Sequence, residues 1–103
     1  MYNIHTQIVG FEWDEDKNRE NIRKHGISFE EALTAFKDKH APCSFDPEHS
    51  NEEDRFLLLG MSSRLRVIVV CHCYRINGST IRIISARKAT NHETKDYRRY
   101  NAG

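Results

Sequence analysis

The sequence predicts an α+β domain, a mainly antiparallel sheet with two N-terminal helices and one C-terminal helix. Three observations carry that expectation. Capping boxes at Ser28 and Thr90 mark helix starts. Asn77-Gly78 between two β-rich runs marks a tight hairpin. Of the 23 isoleucine, leucine, valine and phenylalanine residues, 13 fall in 55–85, so the sheet holds most of the core.

The elements follow in order. Phe11-Glu12-Trp13 suits a short edge strand. Asp14 is a good N-cap, Glu15 and Asp16 occupy the first turn, and Gly26 follows the basic Arg23-Lys24-His25, which brackets a helix over about 15–25. Ser28-Phe29-Glu30-Glu31 is a capping box, with the Ser28 oxygen on the Glu31 amide and the Glu31 carboxylate reaching back. It opens a helix whose apolar face is Phe29, Ala32, Leu33 and Phe36. Cys43-Ser44-Phe45 reads as a short strand before an acidic loop to Asp54. The runs 55–60, 66–75 and 80–87 read as strands, and Thr90-Asn91-His92-Glu93 starts a last helix to about Tyr100. Alternation along 80–87 sets Ile81, Ile83, Ser85 and Arg87 on one face.

At 103 residues the chain supports a single domain, 1–103, with one modest core. No run approaches the ~18 apolar residues that span a bilayer. The start MYNIHTQIVG lacks a basic segment followed by an apolar stretch, so secretion is unsupported and a cytoplasmic protein is expected. Cys43, Cys71 and Cys73 make no disulfide framework, and no partner pair at ligand spacing turns them into a zinc site.

Charge is the most informative quantity. The net charge of +1 conceals a balance of −7 over residues 1–54 and +8 over 55–103. A basic half of that strength attracts phosphate, unless the acidic half folds over it and pairs its charges. The first helix has one large apolar residue, Ile22, and a polar stripe of Lys17, Asn21 and Lys24. Such a helix either lies loosely on the sheet or is held by polar contacts at a site. Arg64, in a turn between strands, has no evident structural task. Phosphate-loop, zinc-protease and serine-hydrolase motifs are absent, and the carboxylates Glu48, Glu52, Glu53 and Asp54 read as loop solvation.

Trp13-Asp14-x-x-Lys17-x-x-x-Asn21-x-x-Lys24-His25-Gly26-Ile27-Ser28-Phe29-Glu30-Glu31-Ala32 resembles the opening of the BrnT toxins. Asp46-Pro47, the run Asp54 to Ser62 and the run Arg82 to Thr90 continue the resemblance in order, and Glu93 and Tyr97 match its closing helix. It covers about residues 11–97; Cys71-His72-Cys73 departs from the usual strand. The resemblance implies a RelE-like fold and a metal-independent ribonuclease, without cofactor, that arrests translation. It also implies neutralisation by a ribbon-helix-helix antitoxin, BrnA, in a 2:2 heterotetramer that reaches operator DNA only through the antitoxin.

Metal-free cleavage needs a base for the 2′-hydroxyl, cations for the phosphorane and an acid for the leaving 5′-oxygen. For that chemistry we expect Lys24 and Arg64 on the phosphate and His25 or His49 as acid–base groups. Arg87 would be a further phosphate anchor, and Tyr97 a stacking or acid group. The alternative is a non-catalytic nucleic-acid-binding or protein-interaction module.

Overall fold

A computed structural model describes residues 8–102. The ends of the expected 1–103 domain, and most of the N-terminal segment read above, lie outside the described residues. β1 (Gly10–Glu12) leads to α1 (Glu15–His25) and α2 (Phe29–Thr34), which continues as a 3-10 turn, Ala35–Lys37. β2 (Cys43–Phe45), a second 3-10 turn (Pro47–His49), β3 (Phe56–Met61), β4 (Val67–Arg75), β5 (Thr80–Lys88) and α3 (Asn91–Ala102) follow.

Local chemistry explains the boundaries. The Asp14 carboxylate accepts the Asp16 and Lys17 amides at 2.8 and 3.1 Å, and Gly26 ends α1 in the left-handed region at φ 69°. At α3 the capping box is complete: the Glu93 N–H donates to Thr90 Oγ1 and the Thr90 N–H to Glu93 Oε1. At α2 only its first half forms. Ser28 accepts the Glu31 amide, but Glu31 turns its carboxylate to Ser62 (2.7 Å) and Arg66 (2.7 and 2.8 Å). A buried carboxylate gains more from a guanidinium than from an amide already near water.

The strands order β1-β5-β4-β3-β2. Three pairings are antiparallel, but β1 runs parallel to β5, so the expected mainly antiparallel sheet is corrected to a mixed one. Two helices and a sheet's worth of hairpins separate these strands in sequence, which leaves their relative direction free of any turn constraint. The α1–α2 hairpin covers one sheet face: Ile27, Phe29, Ala32 and Ala35 pack on Leu58, Ile68, Val70, Ile81, Ile83 and Ala86.

The alternation expected along β5 also fails, and a bulge is the reason. Cys71 stands opposite Ser85 while His72 stands opposite Ile83, so Ile84 is one residue too many. Ile81 and Ile83 therefore share the core face with Ala86, whereas Ser85 and Arg87 face the other side with Cys71 and Val69.

The apolar-poor α1 is held by two buried asparagines. Asn21 donates to the carbonyls of Ile27 and Ala86, both at 2.8 Å, and accepts the Ala86 amide at 3.1 Å. It thus serves the open edge of β5 as one residue of a neighbouring strand would. Asn18 accepts the Phe29 amide and donates to Glu15 and Glu30. Ile22, by contrast, is nearly half exposed.

His72 is fully buried among Phe36, Phe56 and Tyr74, with Cys43 Sγ 3.9 Å from Nε2 and the Val70 carbonyl 3.1 Å from Nδ1. Burial pushes its pKa down to about 4. Between the ordinary value near 6.5 and about 4, the unfolded chain binds a proton that the folded one refuses. Stability is therefore full above pH ~6.5 and falls on acidification through that window, by up to ~3 kcal/mol. Urea midpoints measured from pH 7.5 to 4.5 should fall steadily, and His72→Phe should flatten the slope.

Candidate functional site

The loop after β2 is built rather than merely solvated. Asp46 is buried; its N–H donates to the Arg55 carbonyl at 2.8 Å. Ser50 bridges the same two residues, donating to the Asp46 carbonyl and accepting the Arg55 amide. The Asp46 carboxylate caps the 3-10 turn through the Glu48 amide and meets His49 Nδ1 at 2.8 Å. In the neutral ring that pairing puts the proton on Nδ1 and makes Nε2 the acceptor, and the ring is exposed.

His49 stands over a cavity of about 220 Å³ on the sheet side away from α1 and α2. Leu57, Val69, Cys71 and Ile84 form its apolar floor; Asp46, Glu48, Arg55, Ser85 and Arg87 supply its polar walls. Arg87 is held in a two-point pair with Glu93, at 2.8 and 3.0 Å. Arg87, helped by the Thr90 amide, pulls the Glu93 carboxyl down to about 2, so this pair stays ionised at any working pH.

A second depression of about 190 Å³ lies against the first and shares Ile84 and Ser85 with it. Its other walls come from α1: Lys17, Glu20, Asn21, Lys24 and His25. Lys24 Nζ is 3.7 Å from Glu20 on the exposed helix surface. The bulged stretch of β5 thus has His49, Arg55 and Arg87 on one side and Lys24 and His25 on the other.

Arg64 and Tyr97 lie outside both depressions. Arg64 is exposed in the β3–β4 turn beside Leu65, which takes φ 61°, and its charge acts on Glu31. Tyr97 lines a different, wider recess with Thr34, Lys37 and Ser63, where its hydroxyl donates to Asp38 at 2.5 Å. Burial and that carboxylate push the phenol up to about 12. Sequence reasoning passed over Asp46 as the support of His49, although an Asp-Pro pair with histidine three residues on is a recognisable turn cap. It also passed over Arg55.

Asp46, Glu48 and His49 are the grouping of metal-type ligands found among the described residues, with their ligand atoms within 4.8 Å of one another. The same cavity carries Arg55, paired with Glu53 at 3.3 Å, and Arg87, paired with Glu93, while His49 Nδ1 meets Asp46. Cys71 and Cys73 are free thiols buried in β4, and burial pushes both thiols up. Among the described residues no helix is long and apolar enough to cross a membrane.

A family model described as the ribonuclease toxin BrnT of type II toxin–antitoxin systems matches residues 13–93. The chain belongs to the BrnT family. The solved structure of the Brucella abortus ribonuclease toxin BrnT is similar to it, with 27% identity and a TM-score of 0.54. That match covers 81% of this chain and 99% of the Brucella toxin. No curated protein matches. Every expected site residue of this BrnT-family chain except Tyr97 falls inside the matched span.

Proposed function

We propose that this chain is an endoribonuclease whose metal-free site straddles the bulge of β5. The reading rests chiefly on one observation: the His49–Arg87 cavity and the Lys24–His25 depression share Ile84 and Ser85. A strand of RNA laid across that ridge meets an acceptor nitrogen on one side and cations on both.

In this mechanism His49 Nε2 takes the 2′-hydroxyl proton while Asp46 holds Nδ1 and balances the imidazolium that forms. The 2′-oxygen attacks phosphorus, the bond to the 5′-oxygen breaks, and His25 delivers the proton that the leaving oxygen needs. Arg87 and Lys24 stabilise the phosphorane charge. Arg64 contacts a phosphate farther along the RNA. Tyr97, with its proton committed to Asp38, fastens α3 rather than reacting.

The products are a 2′,3′-cyclic phosphate and a 5′-hydroxyl. RNA incubated with the purified chain in excess chelator should yield those ends at an undiminished rate; loss of cleavage on chelation would overturn the metal-free mechanism. Lys24→Ala and Arg64→Ala should each relieve growth arrest on expression and change stability by less than about 0.5 kcal/mol, since both side chains are exposed. Folded variants that remain fully toxic would remove these residues from the site.

The family membership supports a regulated cytoplasmic toxin of RelE-like fold. Its partner in this reading is a BrnA-type ribbon-helix-helix antitoxin forming a 2:2 complex, and operator DNA is reached only through that antitoxin. Co-expression with such an antitoxin should restore growth and yield a co-purifying complex.

A further inference from the structure

The cavity beneath His49 is built wrongly for a bare phosphate. Two carboxylates, Asp46 and Glu48, stand on its wall beside Arg55 and Arg87, over a floor of Leu57, Val69 and Ile84. A phosphate gains from the guanidiniums but is repelled by the carboxylates, and it gains nothing from an apolar floor. A nucleobase needs all three: an apolar surface for its ring face, acceptors for its N–H groups and donors for its carbonyl and ring nitrogens.

We propose that this cavity is a guanine-specific base pocket and that Glu48 reads the base. The inference rests on the ribonuclease reading of the same site and adds its substrate preference. Guanine is the base that offers two adjacent donors, N1–H and N2–H₂, to a single carboxylate. Its O6, and N7 on the adjoining edge, accept from the Arg55 guanidinium. A Glu48 carboxylate oxygen lies within 4.8 Å of the facing atoms of Asp46 and His49, so a base read by Glu48 sits beside the His49 ring. Asp46 already receives the Glu48 amide and the His49 ring, which leaves the exposed Glu48 carboxylate to meet the base. The guanosine that fills the pocket therefore brings its own 2′-hydroxyl toward His49, and cleavage falls on its 3′ side. Adenine presents one donor where guanine presents two, and uracil turns carbonyls toward the carboxylate.

Cleavage of a mixed-sequence RNA should show guanosine 5′ to the broken bond, and 3′-GMP should bind more tightly than 3′-AMP, 3′-CMP or 3′-UMP. A two-point base contact discriminates by about 10–100-fold. Glu48→Gln should erase most of that preference, lowering cleavage after guanosine toward the rate after the other bases. His49→Ala should slow cleavage by about 10²–10⁴ and retain selective 3′-GMP binding. Cleavage by the wild-type chain without guanosine bias, or equal binding of the four nucleotides, overturns the pocket assignment and leaves the ribonuclease reading standing. Selective 3′-GMP binding without RNA cleavage does the reverse. A Glu48→Gln chain that keeps full guanosine preference removes Glu48 as its reader.

Discussion

Replacing His49 by alanine should slow RNA cleavage by about 10²–10⁴, the usual contribution of a positioned proton-transfer group. The fold should barely register the change. The His49 side chain is 61% exposed, and what it contributes to the loop is one bond to Asp46. Asp46→Asn makes the complementary test, since the amide still caps the Glu48 N–H but no longer offers a charge to the imidazolium. Its cleavage rate should fall as well, with the loss concentrated in kcat rather than KM, as expected of a group acting through another in the transition state. A His49→Ala chain that folds normally and cleaves RNA at the wild-type rate would strike the base from the mechanism.

Asn21→Ala should produce the largest loss of stability of any single polar change on α1, about 3 kcal/mol. Three buried backbone groups depend on this side chain: the Ile27 carbonyl and both the carbonyl and amide of Ala86. Leaving a buried polar group unsatisfied costs roughly 1–3 kcal/mol, and water entering the gap recovers part of the total. In a domain of this size 1 kcal/mol corresponds to about 4–8 °C, so the thermal midpoint should drop by well over 10 °C. Activity should suffer too, because the same bonds seat the helix that carries Lys24 and His25 against β5. A melting curve within a degree or two of wild type would show that α1 is held by something else.

Much of this architecture could be read from residue chemistry. The caps at Asp14, Ser28 and Thr90 and the break at Gly26 are local events, decided within four residues, and they place α1 and α3 closely. The Asn77-Gly78 turn is local too, with both residues at positive φ. What stayed hidden depends on partners distant in sequence. Nothing near β1 announces that it will run parallel to a strand some seventy residues on, since no turn joins them. Glu31 looks like half of a capping box until Arg66 arrives, thirty-five residues later, to claim it.

The site divides along the same line. Lys24 and Arg87 stand out because a cation at an element's end needs explaining, and with His25 they border the bulge. His49 was legible as a titratable group, whereas its support by Asp46 required knowing that the loop closes through Ser50 and Arg55. Arg64 and Tyr97 look equally eligible in one dimension. Their distinction from the others is purely spatial.

The extra residue in β5 works as a phase slip. Up to Ile83 the odd positions look inward; from Ala86 the even ones do, and the strand changes allegiance across a single peptide. Were the phase kept, Arg87 would follow Ile81 and Ile83 beneath the helices, its guanidinium stripped of water with Ile27 and Phe29 for neighbours. Stranding a charge there costs several kcal/mol, a large part of what a domain of this size has to spare. The slip lets one strand be wall and tool in turn, and it sets the cation one residue from a fully enclosed alanine.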